Sequence, residues 1–127
     1  MIDHVSIPVR DLQAAGEFYD AVLVPVGLCR LVTRDATIGF GKRYPEFWLN
    51  SRPHHVPADN SGTHICLRAP NSEAVEAFHA RAMALGAKDE GAPAERAGAM
   101  TSYFGAFIFD LDGNKIEAIT FPGRGQD

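Results

Sequence analysis

The 127-residue chain is 46% hydrophobic and 22% charged, with a formal net charge of −4, which suits an ordinary globular protein with room for one compact domain and not two. An acidic chain lacks the positive surface that nucleic acid or an anionic membrane requires, so neither is expected as a partner. No apolar run approaches the ~18 residues of a membrane span, no leader-like segment follows Met1, and Cys29 and Cys66 form no CxxC motif, so a cytoplasmic protein is expected, with each cysteine a small buried hydrophobe.

The chain begins with a strand-like stretch. Val5, Ile7 and Val9 alternate with His4, Ser6 and Pro8, the period-2 pattern of a strand with one covered face. Asp11 is a good helix N-cap, and Leu12, Ala15, Phe18 and Val22 recur at helical spacing up to a stop at Gly27. Short strands are expected at roughly 28–33, 37–41 and 46–50, with turns at Asp35 and at Gly39 to Gly41. The polar, Pro-punctuated stretch 51–62 reads as a linker, with 53–60 as its centre.

The first unit then recurs. Placing Asp3-His4-Val5-Ser6-Ile7-Pro8-Val9-Arg10-Asp11 over Thr63-His64-Ile65-Cys66-Leu67-Arg68-Ala69-Pro70-Asn71 needs no gap, and histidine falls on histidine. Val75, Phe78, Ala82 and Leu85 form a second apolar helix face, and Gly86 is a plausible stop. After it, 88–90 reads as a short edge piece and the Ala/Gly-rich segment 91–99 as a mobile loop. Strands follow at 101–110 and 114–121, joined by an Asp112-Gly113-Asn114 turn. The chain is thus read as α+β: one domain, 1–127, made of two βαβββ modules (about 1–52 and 61–122), neither able to bury its sheet alone.

Strand parity points to chemistry. His4 and Ser6 face away from the first helix; His64, Cys66 and Arg68 face away from the second; on the last strand Lys115, Glu117 and Ile119 share the uncovered side. If the two sheets face one another, His4, His64 and Glu117 converge. Two imidazoles and a carboxylate make a metal set with positions left open for water or substrate, which favours catalysis over a structural role. The competing readings are hydrogen-bonded structural histidines and a solvated glutamate. His54 and His55 read as surface residues of the linker, and His79 as helix surface.

Asp3-His4-Val5 with Asp11-Leu12 and Phe18-Tyr19, then Thr63-His64-Ile65, and above all Gly105-Ala106-Phe107-Ile108-Phe109-Asp110 with Asp112-Gly113-Asn114-Lys115-Ile116-Glu117, resemble the signatures of the vicinal-oxygen-chelate superfamily (glyoxalase, bleomycin resistance protein, extradiol dioxygenase). Gly39-Phe40-Gly41-Lys42 with Phe47-Trp48-Leu49 is similar to a glyoxalase-like bacterial branch. The resemblance implies paired modules forming an eight-stranded cup-shaped sheet, commonly as a homodimer. It also implies one divalent ion (Zn, Ni, Mn, Co or Fe) on His4, His64 and Glu117. Glyoxalase-type lyases add a glutamate on the last strand of the first module; here Trp48 occupies that place and Glu46 lies two residues from it. Fosfomycin-modifying transferases and extradiol dioxygenases share the three-ligand arrangement.

The function so implied is a metal-dependent glyoxalase-like lyase or isomerase acting on a small substrate with vicinal oxygens. Glu117 is a catalytic candidate if it loosens from the metal; Glu46 is another base. Arg68 would hold an anionic group or form a rim salt bridge, and Trp48, Phe47 and Tyr103 offer a stacking surface. The alternatives are an Fe(II) extradiol-type dioxygenase and a metal-free, bleomycin-resistance-like drug-binding protein.

Overall fold

Alternating apolar residues at 5–9 and 64–68 form strands of the same length, each running into a capped helix, and the computed structural model describes residues 1–58 and 61–122. Residues 59 and 60 of the expected linker lie outside the described residues. In the first module, β1 (Val5–Val9) leads to α1 (Leu12–Val22), a short 3-10 helix (Val24–Val26), and then β2 (Cys29–Thr33), β3 (Thr37–Gly41) and β4 (Pro45–Ser51). The second repeats this order: β5 (His64–Arg68), α2 (Ser72–Ala84), β6 (Lys88–Ala97), β7 (Ser102–Phe109) and β8 (Lys115–Thr120).

Both helices start by the same device. The carboxylate of Asp11 accepts the Ala14 N–H at 3.0 Å, and the Asn71 carbonyl oxygen accepts that of Ala74 at 2.9 Å, each satisfying one of the donors a helix start leaves open. Pro25 and the left-handed Gly27 end the first helical segment, and Gly86, at φ 95°, turns the chain after α2.

Each module is a mixed four-stranded sheet, ordered β1-β4-β3-β2 in the first and β5-β8-β7-β6 in the second. The crossover strands β1 and β5 pair in parallel with the last strand of their own module, and the remaining ladders are antiparallel. One face of each sheet lies under its helix. Ala15, Phe18, Tyr19 and Val22 of α1 meet Phe40, Phe47 and Leu49, while Val75, Phe78 and Ala82 of α2 meet Ile108, Ile116 and Ala118, in one continuous core. Burying a side chain of this size stabilises by roughly 1.5–3 kcal/mol. The two helices also touch each other, so the helix-covered sides are turned together and the opposite face of each sheet stays open.

Polar links reinforce that packing. Tyr19, with its ring 5.2 Å from that of Phe47, donates its hydroxyl to Asp110 at 2.6 Å. Arg10 donates to Asp112 at 2.8 Å and to the Leu111 carbonyl at 2.7 Å, and the Asn114 amide donates to the Pro8 carbonyl at 2.9 Å. The turn between β7 and β8 is thereby fastened to the first module. Among the described residues, no helix is long and apolar enough to cross a membrane.

Three expectations need correction. Residues 91–97 are not a loop but the greater part of β6, whose register slips at Asp89/Gly91 and at Gly91/Ala94. As an edge strand it tolerates Pro93, which an inner strand would not, and its Ala/Gly composition hides the strand pattern. Both cysteines are exposed rather than buried, because each lies on the face its helix does not cover. His79 is not simple helix surface: its side chain is largely covered and its Nε2 lies 2.9 Å from Asp89 of β6.

Candidate functional site

The ladder of the second sheet fixes which side chains lie together. Cys66 pairs with Glu117 and Glu117 with Phe107; one step toward the start of β5, His64 pairs with Lys115, Lys115 with Phe109, and Phe109 with Lys88. Residues paired across neighbouring strands present their side chains on one face, so both rows lie on the open side of the sheet.

Glu117 is the unusual member, a carboxylate only 4% exposed in the centre of that face. His64 Nε2 stands 3.2 Å from its Oε1, with the imidazole still substantially exposed. Though Cys66 is exposed as a residue, partial desolvation of its thiol among the neighbouring side chains, then the Glu117 carboxylate, push it up to about 12, so it stays protonated near neutrality. Desolvation and Glu117 likewise raise the Tyr103 phenol above its ordinary value, which keeps it a hydrogen-bond donor. Glu117, Tyr103, Met100 and Phe121 line a cavity of about 340 Å³, and His64, Thr63, Lys88 and Lys115 line a neighbouring one of about 300 Å³.

His4 does not join this group within the chain. It is exposed, its Nδ1 lies 2.7 Å from Asp3 Oδ1, and Asp3 in turn accepts from the Tyr44 hydroxyl. Among the described residues no three His, Cys, Asp or Glu side chains gather closely enough to hold a metal ion. The structure therefore brings together two of the three expected ligands.

The open face of the first sheet is built differently. Ser6 pairs with Trp48 as Cys66 pairs with Glu117, so Trp48 occupies the position equivalent to the buried carboxylate. Its ring lies against Gly39, where a Cβ would sit 3.0 Å from the indole, and Arg34 stacks on it at 5.7 Å. Glu46 is exposed at the start of β4, at the same end of that ladder as His4. Arg68 lies on the open face of β5 with its guanidinium 5.0 Å from the Phe121 ring. Parity puts Lys115 on the uncovered side with Glu117 but gives it no role, and Lys88 lies on β6, whose sequence carries no strand pattern.

His64 and Glu117 fit a divalent ion chemically. Two ligands at about 2.1 Å from one ion are separated by roughly 3.0 Å in octahedral and 3.4 Å in tetrahedral geometry, and the observed separation of 3.2 Å lies between them. His4 suits the role of a further ligand, since a carboxylate on Nδ1 orients the ring and leaves Nε2 available.

Residues 1–118 match the family described as the Glyoxalase/Bleomycin resistance protein/Dioxygenase superfamily. Among solved structures, a glyoxalase/bleomycin resistance protein from Albidiferax ferrireducens T118 is 32% identical, with a TM-score of 0.81 over 93% of this chain and 97% of that one. A lactoylglutathione lyase from Agrobacterium tumefaciens shares the fold at 20% identity, TM-score 0.65, over 100% and 98% of the two chains. So does a fosfomycin resistance protein from Listeria monocytogenes at 16% identity, TM-score 0.68, over 94% and 92%. No curated protein matches the chain.

Proposed function

This chain belongs to the glyoxalase/bleomycin resistance protein/dioxygenase superfamily, and from that premise we propose that it is a divalent-metal-dependent enzyme, a glyoxalase-like lyase or isomerase acting on a small substrate with two neighbouring oxygens. The observation that carries this reading is the buried Glu117 carboxylate with His64 Nε2 at 3.2 Å on an open, cavity-lined face. A buried carboxylate is costly unless it is paired, hydrogen-bonded or bound to a metal, and His64, the Tyr103 hydroxyl and the Cys66 thiol are all gathered on this one.

In this proposal His64 and Glu117 of one protomer and His4 of a second copy hold the ion, so the protein works as a homodimer with its sites between protomers. Such an ion supplies Lewis-acid stabilisation of the negative charge that develops on a substrate oxygen. The chain supplies the rest. Glu117, on loosening from the ion, is the carboxylate placed to take a proton from the substrate carbon, and the protonated Tyr103 hydroxyl is placed to donate a hydrogen bond at the same surface.

One observation favours a second reading, a metal-free binding protein. Trp48 stands half-buried on the open face of the first sheet where a ligand glutamate would complete a lyase site, and an indole there is a platform for a planar molecule. Metal analysis of untagged protein decides between them, with Ni, Zn, Mn and Fe(II) each titrated into chelator-treated samples. The enzyme reading expects about one equivalent per chain, lost in His64→Ala; no binding above background would remove it in favour of the binding protein.

A further inference from the structure

For a chain with a net charge of −4, the surface around Glu117 is unexpectedly cationic. Lys115 and Lys88 lie in one row with His64, on β8 and β6. Their ammonium groups lie over aromatic rings, Lys115 5.0 Å from the centroid of Phe107 and Lys88 5.7 Å from that of Phe109, and Arg96 covers Phe107 as well at 5.2 Å. Stacking of this kind fixes a flexible lysine in place while its N–H donors stay available. Among the described residues no carboxylate forms an ion pair with either lysine.

Both lysines line the cavity of about 300 Å³ next to His64, a volume suited to a small metabolite. Glu90 is the carboxylate that shares this lining, and it sits in the bulge between Asp89 and Gly91, out of the row. A lysine on the inner strand β8 is also an awkward neighbour for a metal site. A divalent cation held between His64, of the lysine row, and Glu117, of the next row, meets like charge unless an anion is seated beside it.

We infer that Lys88 and Lys115 form an anion-recognition subsite, so that the substrate bears a carboxylate or a phosphate-like group that docks beside His64. This rests on the proposed metal reading only for where the reacting oxygens lie; the subsite stands on its own geometry. Arg96 lies outside the lining of this cavity, and its Nε and one terminal nitrogen donate to the Gly105 and Ala92 carbonyls.

Calorimetric titration tests this in chelator-treated protein, where an anion cannot simply ligate a metal. The probes are phenylphosphonate, benzoate and neutral benzyl alcohol. At least one anion is expected to bind ten-fold or more tightly than the alcohol, and Lys88→Met/Lys115→Met to abolish that preference without weakening metal uptake. Preference for phenylphosphonate alone assigns a phosphate-like group, and preference for benzoate alone a carboxylate. Anions binding no better than the alcohol, or a preference that survives in the double variant, overturns the subsite. Should the double variant fail to fold by thermal melting, the exposed Lys88→Met carries the test with a partial loss. Metal content of the same batches separates the two ideas: lysine-dependent anion binding without metal uptake removes the enzyme reading and keeps the subsite, and the opposite pattern does the reverse.

Discussion

At the scale of single residues, the most demanding group is Asp110, 6% exposed at the junction of the two modules. Burial raises its pKa, while the Tyr19 hydroxyl and the N–H groups of Asn114 and Asp112, at 2.6, 2.9 and 2.8 Å, pull it back down by stabilising the charged form. Tyr19 itself is pushed well above the ordinary phenol value, so it remains the donor at any pH the protein meets. The sign follows from linkage. A carboxyl whose folded pKa is raised favours folding below its unfolded value, and that contribution is lost as pH climbs through the folded pKa. Tyr19→Phe removes a donor that stabilises the charged form more than the neutral one. It is expected to cost about 2 kcal/mol near neutral pH and less near pH 4, where Asp110 is increasingly protonated; urea denaturation at both pH values checks this. An equal loss at the two would mean the bond is not made to a carboxylate.

Between residue and fold stands the ladder register, and here the repeat has chemical consequences. Because Ser6–Trp48 and Cys66–Glu117 are equivalent pairs, a carboxylate at position 48 would stand in the first sheet as Glu117 stands in the second. Trp48→Glu is therefore expected to add a fourth ligand and to tighten metal binding by ten-fold or more, measured by competition with a chelator; unchanged affinity would sink the equivalence. This position was legible in the sequence, because aligning Phe47-Trp48-Leu49 with Ile116-Glu117-Ala118 depends on period-2 parity alone, which any strand must obey. The helix starts at Asp11 and Asn71 were legible for the same kind of reason, a local rule with a local cause. Strand β6 was not. Its run Gly91-Ala92-Pro93-Ala94 carries no alternation, and what holds it as a strand is the tertiary pairing with β7, which propensity cannot report. The cationic row was lost with it, since Lys88 belongs to that strand.

For the whole molecule, the question is how the open faces are used. The two helix-covered faces meet in one core and leave His4 on one open face and the His64–Glu117 pair on the other. Sequence parity put all three residues on uncovered faces, but whether those faces meet within a chain or between chains is a matter of rigid-body packing, which leaves no periodic trace in the residues. A dimer that lays the first sheet of one protomer against the second sheet of the other would join the half-sites twice and complete an eight-stranded cup at each. Mixing variants tests this. His4→Ala and Glu117→Gln proteins, each expected to bind metal poorly alone, should regain it when unfolded together and refolded as mixed dimers. In such a dimer one site carries both lesions, while the other draws His4 from the Glu117→Gln chain and Glu117 from the His4→Ala chain and is intact. Random pairing makes half of the dimers mixed, so about one site in four should recover metal. Sites built within single chains would recover none, because every chain in the mixture carries a lesion. Recovery near one quarter thus requires the shared site, and no recovery places each metal ligand set inside one protomer or dismisses it.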